Sequence, residues 1–149
     1  MKKRNILPPT YFYAAVAIMV ALNFLFPIMK IIPSPWHWTA LIPLACGALL
    51  NLIADQSFRK AGTTVKPYIE STALITDGVF RISRHPMYLG FVLILIGIAV
   101  FMRSLSPFLV IPVFGYLMDR IYISVEERML ADKFGQVWSN YTSKVRRWL

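Results

Sequence analysis

Two short polar stretches in an otherwise apolar chain carry residue types suited to ligand binding. The first is the run 84–90, Arg-His-Pro-Met-Tyr-Leu-Gly. A proline disfavours helical backbone in the residue before it and suits the first turn of a helix. We therefore expect His85 just outside a helix that begins near Pro86, with Tyr88 in its first turn. Such a helix start favours an anionic group of a ligand; the alternative is a structural helix start at the membrane boundary.

The second stretch holds four charged residues, Asp119, Arg120, Glu126 and Glu127. Charges this close to an apolar segment are costly unless they pair or face a cavity. Arg120 and Glu127 are seven residues apart, as are Asp119 and Glu126, so each pair should lie near one face of a continuous helix. On chemical grounds Arg120 would bind an acceptor carboxylate, and Glu127 would take the proton of an amine acceptor. The alternative is a solvated helix end stabilised by pairs on neighbouring turns.

The composition places these residues in or against a membrane. Of the 149 residues, 57% are hydrophobic and only 15% are charged, whereas a soluble domain carries about 25% charged residues. This excludes an ordinary soluble domain, a disordered segment and a disulfide scaffold, and the length suits one domain over 1–149. The net charge is +9, and the basic residues flank the apolar runs. This favours anionic lipid rather than nucleic acid as the partner. One cysteine and two histidines are too few for a Cys- or His-rich metal site.

Four apolar segments, 11–29, 36–54, 87–102 and 105–125, predict an all-α integral membrane protein with four transmembrane helices. The last two are separated only by Arg103 and Ser104, which predicts a tight helical hairpin. With four crossings, all lysines and arginines except Lys30 and Arg103 fall on one side. By the positive-inside rule both termini are then cytoplasmic, and the polar parts meet on the cytoplasmic face.

An apolar stripe marks the C-terminal part. Its members follow helical spacing: Phe134, Trp138, Tyr141, Val145 and Trp148. This predicts a cytoplasmic-side C-terminal amphipathic helix, which Gly135 would interrupt. Such a helix would bind anionic lipid, and it would also be able to close over a bound ligand.

Several motifs together resemble the isoprenylcysteine carboxyl methyltransferase family, which belongs with the membrane phospholipid methyltransferases. They are Gly62-Thr63-Thr64-Val65, the run 72–80, the Arg-His-Pro-x-Tyr-x-Gly pattern of 84–90, Glu126-Glu127, Phe134-Gly135, and Tyr141 with Val145. The resemblance covers about residues 58–149, and the ordered set is much more specific than any one piece. The first two apolar segments match only in being apolar.

The resemblance implies an integral membrane enzyme that uses S-adenosylmethionine, bound in the C-terminal half, about 58–149. Carried over by residue, the cofactor wall would be Thr72, Ala73, Leu74, Ile75, Phe80, His85, Pro86, Met87 and Tyr88. Glu126 would anchor the cofactor, and the tail around Trp138 and Tyr141 would cover it. A lipophilic acceptor would enter from the bilayer.

The acceptor stays open between two chemistries. Eukaryotic members of the family carry a substrate-binding arginine where this chain has Tyr122, and Arg120 is the nearest arginine. By resemblance the reaction is carboxyl O-methylation of a lipid-like or isoprenyl-type acceptor, which would need that arginine. Amine N-methylation of a phospholipid would not. The short chain favours a prokaryotic cytoplasmic membrane.

Other classes of protein fit the pattern less well. They are a non-catalytic four-helix scaffold, a small transporter, and a nicotinamide-dependent reductase on a related fold; cofactor binding would separate them. The oligomeric state is open, because Gly90 and Gly97 lie two turns apart and suit helix packing within one chain or between chains.

Overall fold

The computed structural model describes residues 6–63 and 71–149, and within these ranges it is helical with no strand. Its α-helices are α1 Pro8–Leu25, α2 Leu41–Lys60, α3 Pro86–Met102, α4 Val110–Met118 and α5 Ser124–Thr142. Short 3-10 turns cover Trp36–Ala40, Gly78–Arg81 and Ser106–Leu109, and a π turn over Asp119–Ile123 joins α4 to α5. Lys2, Lys3, Arg4 and Lys66, used in the charge count, and Thr64-Val65 of the first motif lie outside the described residues.

Three helical stretches are long and apolar enough to cross a membrane: Pro8–Leu25, Trp36–Lys60 and Ser106–Thr142. This confirms the prediction of a helical integral membrane protein. The third predicted segment forms α3, which is apolar but has 17 residues, so the count of four crossings stays a prediction. The fourth segment and the tail are one helical run. The backbone of Gly135 is not helical and kinks this run as expected, and the amphipathic helix at the C-terminus stays a prediction.

Helices α2 and α3 pack in close contact because glycines lie at their crossing. A Cβ atom built on Gly90 would lie 2.8 Å from the carbonyl oxygen of Gly47, and one on Gly97 would lie 2.5 Å from the Leu44 side chain. Gly90 and Gly97 thus serve helix packing within the chain. The predicted hairpin between α3 and the next helical run is confirmed, with Arg103 in the left-handed region (φ 68°) at the turn.

Two apolar clusters hold the fold together. The larger fills the helix bundle and includes the fully buried Met19, Leu95, Met118 and Tyr122. The smaller consists of Ala54, Phe80, Trp138, Tyr141 and Val145. It forms where α2, the connection before α3 and the tail meet. Three members of the tail's apolar stripe are buried there rather than turned toward lipid, and this second cluster supports the candidate site.

Candidate active site

A cavity of about 180 Å³ lies where the beginnings of α1 and α3 meet the 3-10 turn Gly78–Arg81 and Glu126 of α5. Most of its walls are apolar or aromatic. The lining residues are Leu7, Pro8, Pro9, Phe58, Phe80, Arg84, His85, Pro86, Met87, Tyr88, Phe91 and Glu126. Six of the predicted site residues, Phe80, the run from His85 to Tyr88, and Glu126, are therefore brought together around one space.

The tail fixes the aromatic wall of this cavity. Phe80 is buried in the 3-10 turn, and its carbonyl oxygen accepts a hydrogen bond from the Tyr141 hydroxyl at 2.7 Å. The Phe58 ring packs edge-on against Phe80 with centroids 5.5 Å apart. The Arg84 guanidinium lies 5.7 Å from the centre of the Trp138 ring, a cation–π distance. The tail thus packs behind the cavity wall through Tyr141 and Trp138.

The start of α3 has the predicted geometry. The helix begins at Pro86, and His85 precedes it with non-helical backbone (φ −127°, ψ 62°). In the first turn, the Tyr88 hydroxyl donates to Glu126 Oε1 at 2.7 Å. His85 lies between the two glutamates: Nδ1 is 3.6 Å from Glu126 Oε2, and Nε2 is 3.3 Å from Glu127 Oε1. The backbone N–H of His85 donates to the Ser83 hydroxyl.

The two neighbouring glutamates have different partners. Glu127 Oε1 forms an ion pair with Arg84 Nη2 at 3.0 Å, and its Oε2 accepts a hydrogen bond from Arg147 Nε at 3.1 Å. Arg147 also donates to Asp119 Oδ1 at 3.0 Å. Glu126 instead lines the cavity and accepts the Tyr88 hydrogen bond. Glu127 is therefore the centre of an ion-pair network, and Glu126 is the carboxylate available to a ligand.

The environment of His85 favours its charged form. Burial lowers the pKa of His85, but hydrogen bonds and charges of Glu126 and Glu127 act against burial, and their combined effect raises the pKa above its ordinary 6.5. A protonated His85 donates from both ring nitrogens, so it can hold the two carboxylates at once. His85 thus lines the cavity between the two carboxylates.

The π turn changes which charged residues share a face. An i→i+5 turn takes in one more residue than an α turn, so the face is shifted by one residue across it. Asp119 is therefore joined to Glu127, eight residues on, through Arg147. The prediction that Arg120 and Glu127 lie near one face of a continuous helix is therefore not met, because the π turn interrupts that helix. Arg120 is exposed, lies 5.5 Å from the centre of the Tyr116 ring, and is not among the lining residues of the cavity.

The segment 72–75 lies behind the cavity wall. Thr72 is exposed, and it bonds to the preceding loop through Thr63 Oγ1 (3.0 Å) and the carbonyl oxygen of Gly62 (3.2 Å). Leu74 and Ile75 pack against the smaller apolar cluster, beside Phe80. Neither these residues nor Ala73 line the cavity. Their predicted contact with a cofactor therefore stays a prediction.

A family model described as phospholipid methyltransferase matches residues 35–137. The chain belongs to the phospholipid methyltransferase family. The match includes α2, α3 and the carboxylates of α5, so it contains most of the cavity described above. It confirms the family that the motifs of the C-terminal half indicate, and it begins earlier, in the second apolar segment.

Two relatives extend the comparison. The chain is 30% identical over 150 residues to the Protein-S-isoprenylcysteine O-methyltransferase of Tribolium castaneum, which covers 92% of this chain and 50% of that protein. It is 35% identical over 63 residues to a protein of Haemophilus influenzae described as uncharacterized, covering 42% of this chain and all of that protein. The chain thus spans about half the length of the insect relative.

Sequence reasoning missed two parts of the site. Arg147 is not among the site residues predicted from the sequence, yet it joins Asp119 to Glu127. The signal available for it was charge complementarity alone, because no fixed spacing links it to the acidic pair. The second part is the start of α1, where Leu7, Pro8 and Pro9 line the cavity. Their apolar character has no distinguishing pattern.

Proposed function

We propose that this protein is a membrane methyltransferase that binds S-adenosylmethionine in the cavity beside Glu126. One observation carries the proposal. A mostly apolar cavity is lined by Glu126, a carboxylate without an arginine partner in the described chain, and by Arg84, whose buried Nε has no hydrogen-bond partner there. A buried unpaired donor is costly, so a ligand that satisfies it gains affinity.

The residues present fit this cofactor. S-adenosylmethionine, when bound, supplies a methyl group activated on a sulfonium. Its cationic groups are complementary to Glu126, its carboxylate to Arg84 Nε, and its adenine ring to the aromatic wall of Phe80 and Phe58. Tyr88 and His85 orient the Glu126 carboxylate. The apolar walls exclude water, and methyl transfer depends mainly on such positioning in a dry site.

The acceptor proposed from the insect relative is a carboxylate on a lipid-like or isoprenyl-type molecule. The apolar walls at Leu7, Pro8 and Phe91 suit a lipophilic acceptor that approaches from the membrane. Arg120, the arginine expected to bind that carboxylate, is exposed beside Tyr116 and not on the cavity wall.

A second candidate is N-methylation of a phospholipid amine. It is favoured by the carboxylate on the cavity wall, since an ammonium acceptor must lose a proton before its nitrogen can attack. Glu127, the base proposed from the sequence, is engaged by Arg84 and Arg147. Glu126 is therefore the better placed proton acceptor for this reaction. In both candidates the polar parts lie on the cytoplasmic side, with both termini cytoplasmic.

Cofactor binding tests the proposal directly. The detergent-purified protein is titrated by calorimetry with S-adenosylmethionine, S-adenosylhomocysteine and NADPH. We expect saturable binding of the first two and none of the third. Removing a charge-assisted contact with Glu126→Gln should weaken binding by roughly 10–100-fold, equivalent to about 1.5–3 kcal/mol.

The matched control is Asp132→Asn, which removes a charge from an exposed position of the same helix. It should bind as the wild type does. Absence of binding to either adenosyl compound, in protein whose circular dichroism shows it folded, would refute the proposed cofactor and favour a scaffold. Equal losses in both variants would remove Glu126 from the site.

A further inference from the structure

The C-terminal residues return to the segment that begins α3. The backbone N–H of Arg84 donates to the carbonyl oxygen of Arg146 at 3.1 Å, and the Ser83 hydroxyl donates to that of Arg147 at 3.1 Å. Ser83 is fully buried and also accepts from the N–H of His85. The tail therefore sets the backbone position of two residues on the cavity wall, Arg84 and His85.

The Arg147 side chain binds one oxygen of the Glu127 carboxylate and leaves the other to different partners. Its Nε and Nη2 both bind Oε2, while its Nη1 is held by Asp119. This leaves Oε1 to Arg84 at 3.0 Å and to His85 at 3.3 Å. A planar guanidinium held at both ends fixes the orientation of a carboxylate, which a lysine cannot do equally well.

We propose that Arg147 is a positioning residue of the cofactor site, which acts through Glu127 to set the places of Arg84 and His85. The expected effect on cofactor affinity rests on the proposed function, whereas the effect of Arg147 on Glu127, Arg84 and His85 rests on the contacts described above. Without Arg147, Oε2 of Glu127 would lose its partner, and Arg84 and His85 would be the donors left to bind it. Arg84 and His85 would be drawn toward Glu127, away from the cavity and from Glu126.

Charged and titratable groups from α3, α5, the π turn and the tail surround His85. They are Arg84 beside it, Tyr88 in α3, Glu126 and Glu127 in α5, and, through Glu127, Arg147 of the tail and Asp119 of the π turn. Loss of the Arg147 charge leaves Glu127 less compensated. The protonated form of His85 should then be more favoured, which gives a readout that is independent of activity.

The test follows the His85 titration by histidine-labelled NMR in Arg147→Met and Arg147→Lys, with His37→Gln used to assign the two histidines. The matched control is Lys144→Met, which removes a charge from an exposed residue of the same tail. We expect the measured pKa of His85 to rise in Arg147→Met and to rise less in Arg147→Lys. S-adenosylhomocysteine affinity should fall about tenfold in Arg147→Met, as is typical when an outer-shell partner is removed.

The outcomes separate this inference from the proposed function. An unchanged His85 titration in both Arg147 variants, or an equal shift in Lys144→Met, would overturn the positioning role. If Arg147→Met does not fold, Arg147→Lys against Lys144→Met decides the question. If the wild type binds no adenosyl compound, the proposed function fails, while the titration still tests whether Arg147 controls His85.

Discussion

At the scale of single residues, Glu126 and Glu127 show how one position along a helix separates ligand binding from structure. Glu127 has 13% of its side chain exposed and is bound by Arg84, His85 and Arg147. Glu126 has 22% exposed and faces the cavity. The sequence identifies the acidic pair but does not reveal which member faces inward, because that depends on where the tail places Arg147.

Neutralising the two glutamates should therefore affect stability and cofactor binding to different extents. Glu127→Gln should lower the free energy of unfolding by about 3 kcal/mol, because it leaves buried cations without their partner. Glu126→Gln should cost only about 1 kcal/mol of stability, the value of one hydrogen bond, while it weakens cofactor binding roughly 10–100-fold. Thermal unfolding in detergent measures the first effect and calorimetry the second. Similar melting temperatures for both variants would contradict this division.

His85 should make the stability depend on pH. The pKa of His85 is raised in the folded state, because the hydrogen bonds and charges of Glu126 and Glu127 outweigh burial, which lowers it. A group with a raised folded pKa stabilises fully below its unfolded pKa, here 6.5, and this stabilisation is lost as the pH rises through the folded value. We expect the melting temperature to fall with rising pH above 6.5.

The variant His85→Gln should lack this component, whereas His37→Gln should keep it. His37 is the matched control because it is the other histidine and packs against Trp38 and Phe101, away from the carboxylates. Thermal scans at several pH values from about 6 to about 9 span the ordinary and raised values of a histidine. A parallel decline in wild type and His85→Gln would assign the pH dependence to another group.

At the scale of elements, the spacing of α2 and α3 depends on the absence of side chains at their crossing. A Cβ atom on Gly90 would lie 2.4 Å from Asn51 Nδ2 and 2.8 Å from the Gly47 carbonyl oxygen. The backbone contact cannot be relieved by a side-chain rotation. Because α3 carries Met87, Tyr88 and Phe91 on the cavity wall, its distance from α2 also sets the cavity's width.

Gly90→Ala should destabilise the protein by about 1–3 kcal/mol, as expected when a well-packed contact is overfilled. The matched control is Gly115→Ala in α4, where a Cβ would meet nothing within 4 Å. Alanine there should be neutral or stabilise by up to about 1 kcal/mol, because it favours the helix. Thermal unfolding compares the two, and equal stability of both variants would show that the α2–α3 crossing can readily widen.

The elements also show what the sequence can and cannot predict. The helices and the boundary at His85-Pro86 follow from local apolarity and from proline, so they are recovered. The π turn over Asp119–Ile123 is not signalled locally, and it moves Arg120 away from Glu127. Gly135 (φ 47°, ψ −117°) was expected to interrupt the tail helix, and it does. That the tail then buries Trp138 and Tyr141 against Phe80 depends on contacts distant in sequence.

At the scale of the whole molecule, the packing of α3 bears on how often the chain crosses the membrane. Its 17 residues reach about 26 Å, slightly short of a bilayer core of about 30 Å. However, α3 runs alongside α2, which is long enough to cross. Gly90 near its start contacts Asn51, and Phe101 near its end packs 6.2 Å from the Trp38 ring. The two helices therefore extend over much of the same thickness.

This arrangement predicts four crossings with Ile6 and Lys144 on the cytoplasmic side and Ser34 on the other. Cys46, the chain's single cysteine, is exposed on α2 and is first replaced by serine. Single cysteines are then introduced as Ile6→Cys, Ser34→Cys and Lys144→Cys and labelled with a membrane-impermeant maleimide. In intact cells only the Ser34→Cys reporter should react, and permeabilisation should expose the other two. If α3 does not cross, the chain crosses three times, and the reporters at 6 and 144 will lie on opposite sides. That result would also separate the basic residues before α1 from those of α5 and the tail, against the rule that collects them on one side.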